Sequence, residues 1–371
     1  MPHSISRRKF LAAASATAFT LNPRLWAQQP AGDQIAWHDV RDWGVEGKGW
    51  DETTKYFDRL PSRAEGKVRG AVWSLSRHSA GMSVRFRTNA TSIWADYKVT
   101  SSNLSMPHMP ATGVSGLDLY AQTEEGEWRW VSVVKPTKQE AKVNVISGLL
   151  PGERNYMIYL PLYNGTEHLK IGVPDGTSFT PIEPRKEAPV VFYGTSITHG
   201  ACASRPGMPH PSILGRRLNV PIINLGFSGN GKMEPEVGDF LTELDPSVYV
   251  LDCLPNMNGS EVSARAEKLI RQIHKARPKT PIVLVEDRTY ANTPFIPAKQ
   301  KRHEESRKAF RQAYENVKSL EGISLQYVDG ETLLGKDRDD TTDGSHPSDL
   351  GFYRQANALE PAIKQALAES K

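Results

Sequence analysis

The sequence predicts a two-part chain: an antiparallel β-sandwich followed by a doubly wound α/β domain with a parallel sheet. Three observations predict it. Short alternating runs fill the chain before residue 180, continuous apolar runs separated by helical stretches fill it after residue 187, and a proline-rich segment divides the two rhythms. With 371 residues, 38% of them hydrophobic, the chain holds enough apolar side chains for two cores.

Residues 1–27 read as an export signal. Ser6-Arg7-Arg8-Lys9-Phe10-Leu11 matches the bacterial twin-arginine pattern, a mildly apolar stretch follows, and a polar segment opens at Gln28. The stretch 10–21 is too short, and too often broken by Ser and Thr, to cross a bilayer, so no integral membrane segment is expected. The chain is expected to leave a bacterial cytoplasm for the periplasm or the medium, with cleavage near Ala27. Its formal net charge of +4 is accounted for by Arg7, Arg8, Lys9 and Arg24. A neutral mature chain argues against nucleic acid, and against an anionic membrane, as partner.

Residues 31–180 carry the first rhythm. Runs at 71–76, 82–87, 92–99, 117–122, 128–134, 155–160 and 168–173 are rich in β-branched and aromatic residues and are separated by Gly, Asn, Asp and Pro turns. That spacing predicts an antiparallel sandwich of the jelly-roll type. Residues 181–189, with three prolines and alternating charges, read as a linker.

Residues 187–371 carry the second rhythm. Apolar runs at 189–193, 220–225, 248–254, 281–285 and 325–328 predict buried parallel strands, and helices are expected over 261–277, 299–320 and 350–367. In such sheets ligands sit beyond the carboxyl ends of the strands. The residues there are Gly194-Thr195-Ser196 after the first strand, the glycine-rich turn Gly226-Phe227-Ser228-Gly229-Asn230-Gly231 after the second, and Pro255-Asn256-Met257 after the third. A strand order of 2-1-3-4-5 sets Gly229 and Asn256 on either side of Ser196. Downstream, Asp343-Gly344-Ser345-His346 places an aspartate three residues before a histidine, a spacing that lets the carboxylate orient the imidazole toward a serine.

Together these residues resemble the sequence blocks of the SGNH hydrolases, the GDSL-like esterase and lipase superfamily. The resemblance implies a flavodoxin-like three-layer α/β/α fold for the second half. It implies Ser196 as nucleophile, His346 as base and Asp343 as its orienting acid, although Asp339 and Asp340 lie close enough to serve that loop instead. It further implies an oxyanion hole made of the Ser196 N–H, the Gly229 N–H and the Asn256 amide. Thr195 stands where the family has Asp, and Met257 stands where Asp is common; neither replaced residue carries the chemistry. Gly116-Leu117-Asp118-Leu119-Tyr120 resembles the motif of the superfamily branch in which a β-sandwich precedes the hydrolase. Read from its residues alone, the motif is a strand with an edge turn.

The expected activity is carboxylic ester hydrolysis through an acyl-enzyme, without cofactor, on acetyl or other short acyl groups of a carbohydrate or small alcohol. The alternatives are an acyltransferase using the same residues, a carbohydrate-binding protein with a vestigial hydrolase domain, and lipolysis of long acyl chains. Arg205, in the loop after Ser196, is expected to orient substrate. Cys202 and Cys253 follow neighbouring strands, and a disulfide between them is expected in an exported chain. His199, Cys202 and His210 fit no common zinc spacing, so no metal is expected. Glu286-Asp287-Arg288 reads as a salt-bridged strand end or a contribution to the pocket.

Overall fold

In the first half, β-branched and aromatic residues at every second position form strands that bury one face. On β3 (Ser92–Val99), Ile93, Ala95, Tyr97 and Val99 are all fully buried, the period of two that a half-buried strand requires. The computed structural model describes residues 34–370, and the export signal read over residues 1–27 lies outside them. The elements in order are β1 (Ile35–Asp39), α1 (Gly70–Ser76), β2 (Ser83–Thr88), β3, α2 (Ala111–Val114), β4 (Asp118–Gln122), β5 (Trp128–Val133), β6 (Glu140–Ser147), β7 (Arg154–Tyr159), β8 (Thr166–Pro174) and β9 (Phe179–Ile182). They make two antiparallel sheets, β1-β8-β3-β6 and β5-β4-β7-β2-β9, around a core that includes Phe86, Tyr97, Tyr156 and Ile171.

Three local expectations are corrected. Residues 71–76 form helix α1, whose Val72 is buried in the core of the second half of the chain. Strands β1 and β6 sit at sheet edges, and their polar or partly exposed residues weaken the alternation that would have marked them. The segment read as a linker begins inside β9, which pairs with β2, and continues to Arg185, whose Nε donates to Glu46 at 2.8 Å.

The second half runs β10 (Val190–Gly194), α3 (Ser196–His199), α4 (His210–Leu218), β11 (Ile222–Gly226), α5 (Pro235–Glu243), β12 (Val248–Asp252), α6 (Gly259–Ala276), β13 (Ile282–Val285), α7 (Pro297–Val317), β14 (Leu325–Val328) and α8 (Asp349–Glu369). Its sheet is parallel with order β11-β10-β12-β13-β14, the expected 2-1-3-4-5. Val191 and Tyr193 of β10 face the core shared with α5, α6 and α7, whereas Val190 and Phe192 face α4 and α8. Both faces are therefore covered, which is why these strands read as continuous apolar runs.

The two halves share cores. Trp50, Leu60, Val68 and Val72 pack with α5 to α7, and Met109, Val114 and Leu162 pack with α4 and α8, so the residues from Ile35 onward form one compact unit. Among the described residues no helix is long and apolar enough to cross a membrane.

Candidate active site

Three strand ends and one downstream loop converge at the carboxyl edge of the parallel sheet. Ser196 is the first residue of α3, with Thr195 alone between it and β10, the strand that lies between β11 and β12. Thr195 caps that helix, its hydroxyl accepting from the Ile197 N–H at 3.3 Å. The Ser196 side chain, only 6% exposed, places Oγ 2.8 Å from His346 Nε2. His346 Nδ1 lies 2.7 Å from Asp343 Oδ2, and Asp343 Oδ1 accepts from the backbone N–H groups of Ser345 (3.0 Å) and His346 (2.8 Å). A carboxylate can only accept, so Nδ1 carries the proton and Nε2 is left to receive the serine O–H. Burial draws the Asp343 carboxyl upward, but the hydrogen bonds from His346 and Ser345 outweigh it and hold it below the ordinary aspartate value.

Of the three nearby aspartates, Asp343 is the one that touches the imidazole. Asp340 is buried and accepts from the Gly335 N–H (2.7 Å) and Arg354 Nη1 (3.0 Å), which anchors the base of the loop, and Asp339 is exposed.

The turn after β11 lies directly against the turn after β10. Phe227 N–H donates to Gly194 O at 3.0 Å, and a Cβ on Gly231 would fall 1.8 Å from that same oxygen, so only glycine fits there. Gly229 has φ +67°, a left-handed conformation that glycine adopts without strain. Neither its N–H nor that of Ser196 donates to a protein acceptor among the described residues. Asn256 closes the third side. With its carbonyl oxygen toward the glycine turn it accepts from Asn230 N–H (3.0 Å) and Gly231 N–H (3.2 Å), which leaves its NH₂ on the other side as a free donor. A capping box between Asn258 and Glu261 fixes the start of α6 two residues later.

Support for these loops comes largely from the first half of the chain. The buried guanidinium of Arg59 donates to the carbonyls of His78 (2.9 Å), Leu75 (2.6 Å), Asn224 (3.0 Å) and Gly226 (2.8 Å), tying α1 to the end of β11; burial lowers its pKa to about 9. Tyr163 Oη donates to Ser196 O at 3.2 Å, and His199 donates from Nε2 to Leu162 O at 2.7 Å. Asp118, on interior strand β4, accepts from Arg205 Nη1 (2.9 Å), Gly207 N–H (2.8 Å) and Trp130 Nε1 (2.9 Å), and Arg205 also meets Tyr120 Oη. The Asp and Tyr of the Gly-x-Asp-Leu-Tyr motif are therefore a clamp on the loop that follows Ser196, in place of an edge turn.

Beneath the site, fully buried Asp252 at the end of β12 accepts from Arg288 Nη2 (3.2 Å), Thr198 Oγ1 (3.2 Å) and Gln355 Nε2 (3.4 Å). It joins the segment after β13 to α3 and α8, and burial raises its carboxyl to about 6.

Two expectations are corrected here. Arg205 is engaged by Asp118, Tyr120 and the Trp130 ring, so its charge is committed to the clamp and not held out for substrate. Cys202 and Cys253 are free. Cys253 faces the α5-to-α7 core, with Sγ 3.5 Å from Tyr193 O, while Cys202 sits in a left-handed turn between Ala201 and Ala203, which pack into the α4/α8 core.

The Glu286-Asp287-Arg288 cluster is a salt-bridged strand end, with Asp287 on Arg302 (2.5 Å) and Arg288 on Asp252. Among the described residues there is no group of three or more His, Cys, Asp or Glu placed to hold a metal ion. Sequence reasoning missed Arg59, Tyr163 and Asp252 as supports. Each is a single polar residue with no local spacing to mark it, and only the buried charges of Arg59 and Asp252 would have drawn attention.

Fold and site together define an enzyme of the ester hydrolase class. The chain belongs to the GDSL-like lipase/acylhydrolase family: residues 187–364 match that family, and residues 35–179 match the N-terminal domain of SGNH-hydrolase-type esterases. A Bacteroides ovatus protein described as a GDSL-like lipase is 31% identical, with a TM-score of 0.85 over 90% of this chain and 98% of its own. The fold is shared with two more distant structures. The salicylyl-acyltransferase SsfX3 of a tetracycline biosynthetic pathway is 17% identical, with a TM-score of 0.71 over 91% of this chain and 98% of its own. A family two carbohydrate esterase from Cellvibrio japonicus is 11% identical, with a TM-score of 0.59 over 91% of this chain and all of its own. No curated protein matches the sequence.

Proposed function

We propose that this protein hydrolyses short acyl esters, acetyl esters above all, of a carbohydrate or small alcohol, through an acyl-enzyme on Ser196. The observation that carries the reading is the unbroken chain from Ser196 Oγ to His346 Nε2 (2.8 Å) and from His346 Nδ1 to Asp343 (2.7 Å). Ser196 Oγ attacks the acyl carbonyl as its proton passes to His346 Nε2, and Asp343 steadies the imidazolium. The tetrahedral oxyanion is held by the N–H groups of Ser196 and Gly229 and the amide of Asn256. His346 returns the proton to the departing alkoxide, and water repeats the sequence to release the acid and free Ser196. No cofactor enters these steps.

Carbohydrate as the alcohol is supported by the fold shared with the Cellvibrio carbohydrate esterase and by the signal-like sequence of residues 1–27, on which the protein acts outside the cytoplasm. A second reading, transfer of the acyl group to an alcohol acceptor, is favoured by the fold shared with the salicylyl-acyltransferase and uses the same residues.

The test is turnover of p-nitrophenyl acetate, butyrate and a longer ester by the wild-type protein and by Ser196→Ala. The reading expects fast turnover of the short esters and background rates for the variant. Equal activity in both proteins, or none in either, overturns it. Product analysis with an added alcohol separates hydrolysis from transfer.

A further inference from the structure

The segment between β3 and β4 leaves the sandwich and reaches the mouth of the site. Met106 and Met109 bracket a tight turn, each N–H donating to the other's carbonyl at 3.0 Å, and Pro107 restricts the backbone at the tip. Met109 is 2% exposed and packs into the core that contains Ile197 of the nucleophile helix. Three residues on, Thr112 Oγ1 donates to Ser204 O at 2.6 Å, and the Ser204 N–H donates to Asp349 at the start of α8 at 2.9 Å. The turn is therefore anchored to both the Ser196 loop and the helix that follows His346.

At the tip of this anchored turn stands His108. Its side chain is exposed and its ring makes no hydrogen bond among the described residues. Its centroid is 6.4 Å from that of His346, with the planes tilted by 37°. Both His346 nitrogens are engaged, Nε2 with Ser196 Oγ and Nδ1 with Asp343, so the oxygen that His108 can bond is a second one of the molecule whose ester oxygen faces His346 Nε2. His346 is the group that hands its proton to the departing alkoxide, so what lies beside it on this rim is the alcohol half of the ester.

We propose that His108 is a specificity-determining contact of the ester site: its imidazole hydrogen-bonds a hydroxyl of the alcohol half, which favours acyl esters of polyhydroxy alcohols. The proposal rests on the esterase reading above. It assigns the sandwich a direct part in substrate choice, in addition to bracing the loops. An ester of a simple phenol offers His108 no such hydroxyl, and an ester of glycerol or a sugar does.

The experiment compares wild type, His108→Ala and His108→Gln on p-nitrophenyl acetate, on a monoacetate of glycerol and on partially acetylated sugars. Because His108 is exposed, both variants are expected to keep the wild-type Tm. The readout is the ratio of kcat/KM on a polyol acetate to kcat/KM on p-nitrophenyl acetate. One lost hydrogen bond lowers that ratio about five- to tenfold in His108→Ala, mainly through KM, and His108→Gln restores part of it. An unchanged ratio overturns the proposal. So does a wild-type enzyme that turns over p-nitrophenyl acetate and no polyol acetate. In either case Ser196-dependent turnover leaves the esterase reading standing, whereas turnover that is absent or indifferent to Ser196→Ala overturns both.

Discussion

Asp118 of β4 and Arg205 of the loop after α3 form a 2.9 Å ion pair in which the carboxylate is fully buried. The pair crosses the boundary between the two rhythms of the sequence, so the loop that follows Ser196 is held from outside the α/β half. Removing the carboxylate leaves the Arg205 guanidinium and the Gly207 N–H facing the gap. Asp118→Ala is expected to cost about 3–5 kcal/mol, read as a lower urea midpoint. An unchanged midpoint would show that the clamp carries no stability.

Asp343 and Asp340 separate cleanly by what they touch. Asp343→Asn disturbs the imidazole tautomer and is expected to lower kcat about 10³-fold or more with little change in Tm. Asp340→Asn weakens the bond to Arg354 at the base of the loop and is expected to lower Tm more than kcat. Parallel assays of the two variants check the assignment, and the reverse pattern would refute it.

Asn256 offers a donor and Gly229 a backbone N–H, so their substitutions differ in kind. Asn256→Ala is expected to lower kcat about 10²- to 10³-fold while the fold stays intact. In Gly229→Ala the N–H survives and the space beside Cα is open, so the cost comes from φ +67°. That is about 1–2 kcal/mol of backbone strain, visible in Tm before it is visible in turnover. Steady-state kinetics and thermal melts on both variants test the contrast.

Cys202 and Cys253 are both buried and unbridged, with Cys253 in the α5-to-α7 core and Cys202 in the turn after α3. Thiol titration in denaturant, without reductant, is expected to find both thiols free, and added reductant is expected to change nothing. A count that rises only with reductant would contradict the placement of Cys253 against Tyr193.

Five histidines are held toward the neutral form by burial: His199 and His210 well below the usual 6.5, His78 and His303 near 4, and His38 lowered as well. The unfolded chain binds these protons from about 6.5 downward and the folded chain does not. Stability is therefore full above 6.5 and is lost as pH falls toward 4, by about 1.4 kcal/mol per pH unit for each histidine in its window. Asp58, Asp118 and Asp252 act in the opposite sense, since burial raises their pKa values and folding favours their protonated forms as pH falls. The histidines outnumber them, and Tm is expected to fall between pH 6.5 and 4.5. A flat Tm over that range would contradict the burial of His199 and His210.

Much of the parallel sheet was legible because its strands are buried on both faces, and runs such as those containing Val191 to Tyr193 or Val248 to Leu251 have no other use for so many apolar residues. The loops carrying Ser196, Gly229, Asn256 and His346 were legible through their position at strand ends and before the last helix. Helix α1 was not, since six residues with alternating side chains fit either a strand or two turns of helix, and packing of Val72 against the α/β core chose the helix. Arg205 illustrates the same limit: a loop arginine near a nucleophile suggests substrate, and only the arrival of Asp118 from β4 shows where its charge is used.

The sequence by itself determined the five buried strands of the parallel sheet, its three long helices and the residues at the strand ends, because hydrophobic period and turn chemistry are local and are written along the chain. The tertiary structure decided what those residues lean on. Arg59 capping β11, Tyr163 and Leu162 holding α3, Asp118 holding Arg205 and His108 standing beside His346 all join positions far apart in sequence. Nothing in local spacing encodes such pairs, since each becomes favourable only when packing has removed water from between its partners.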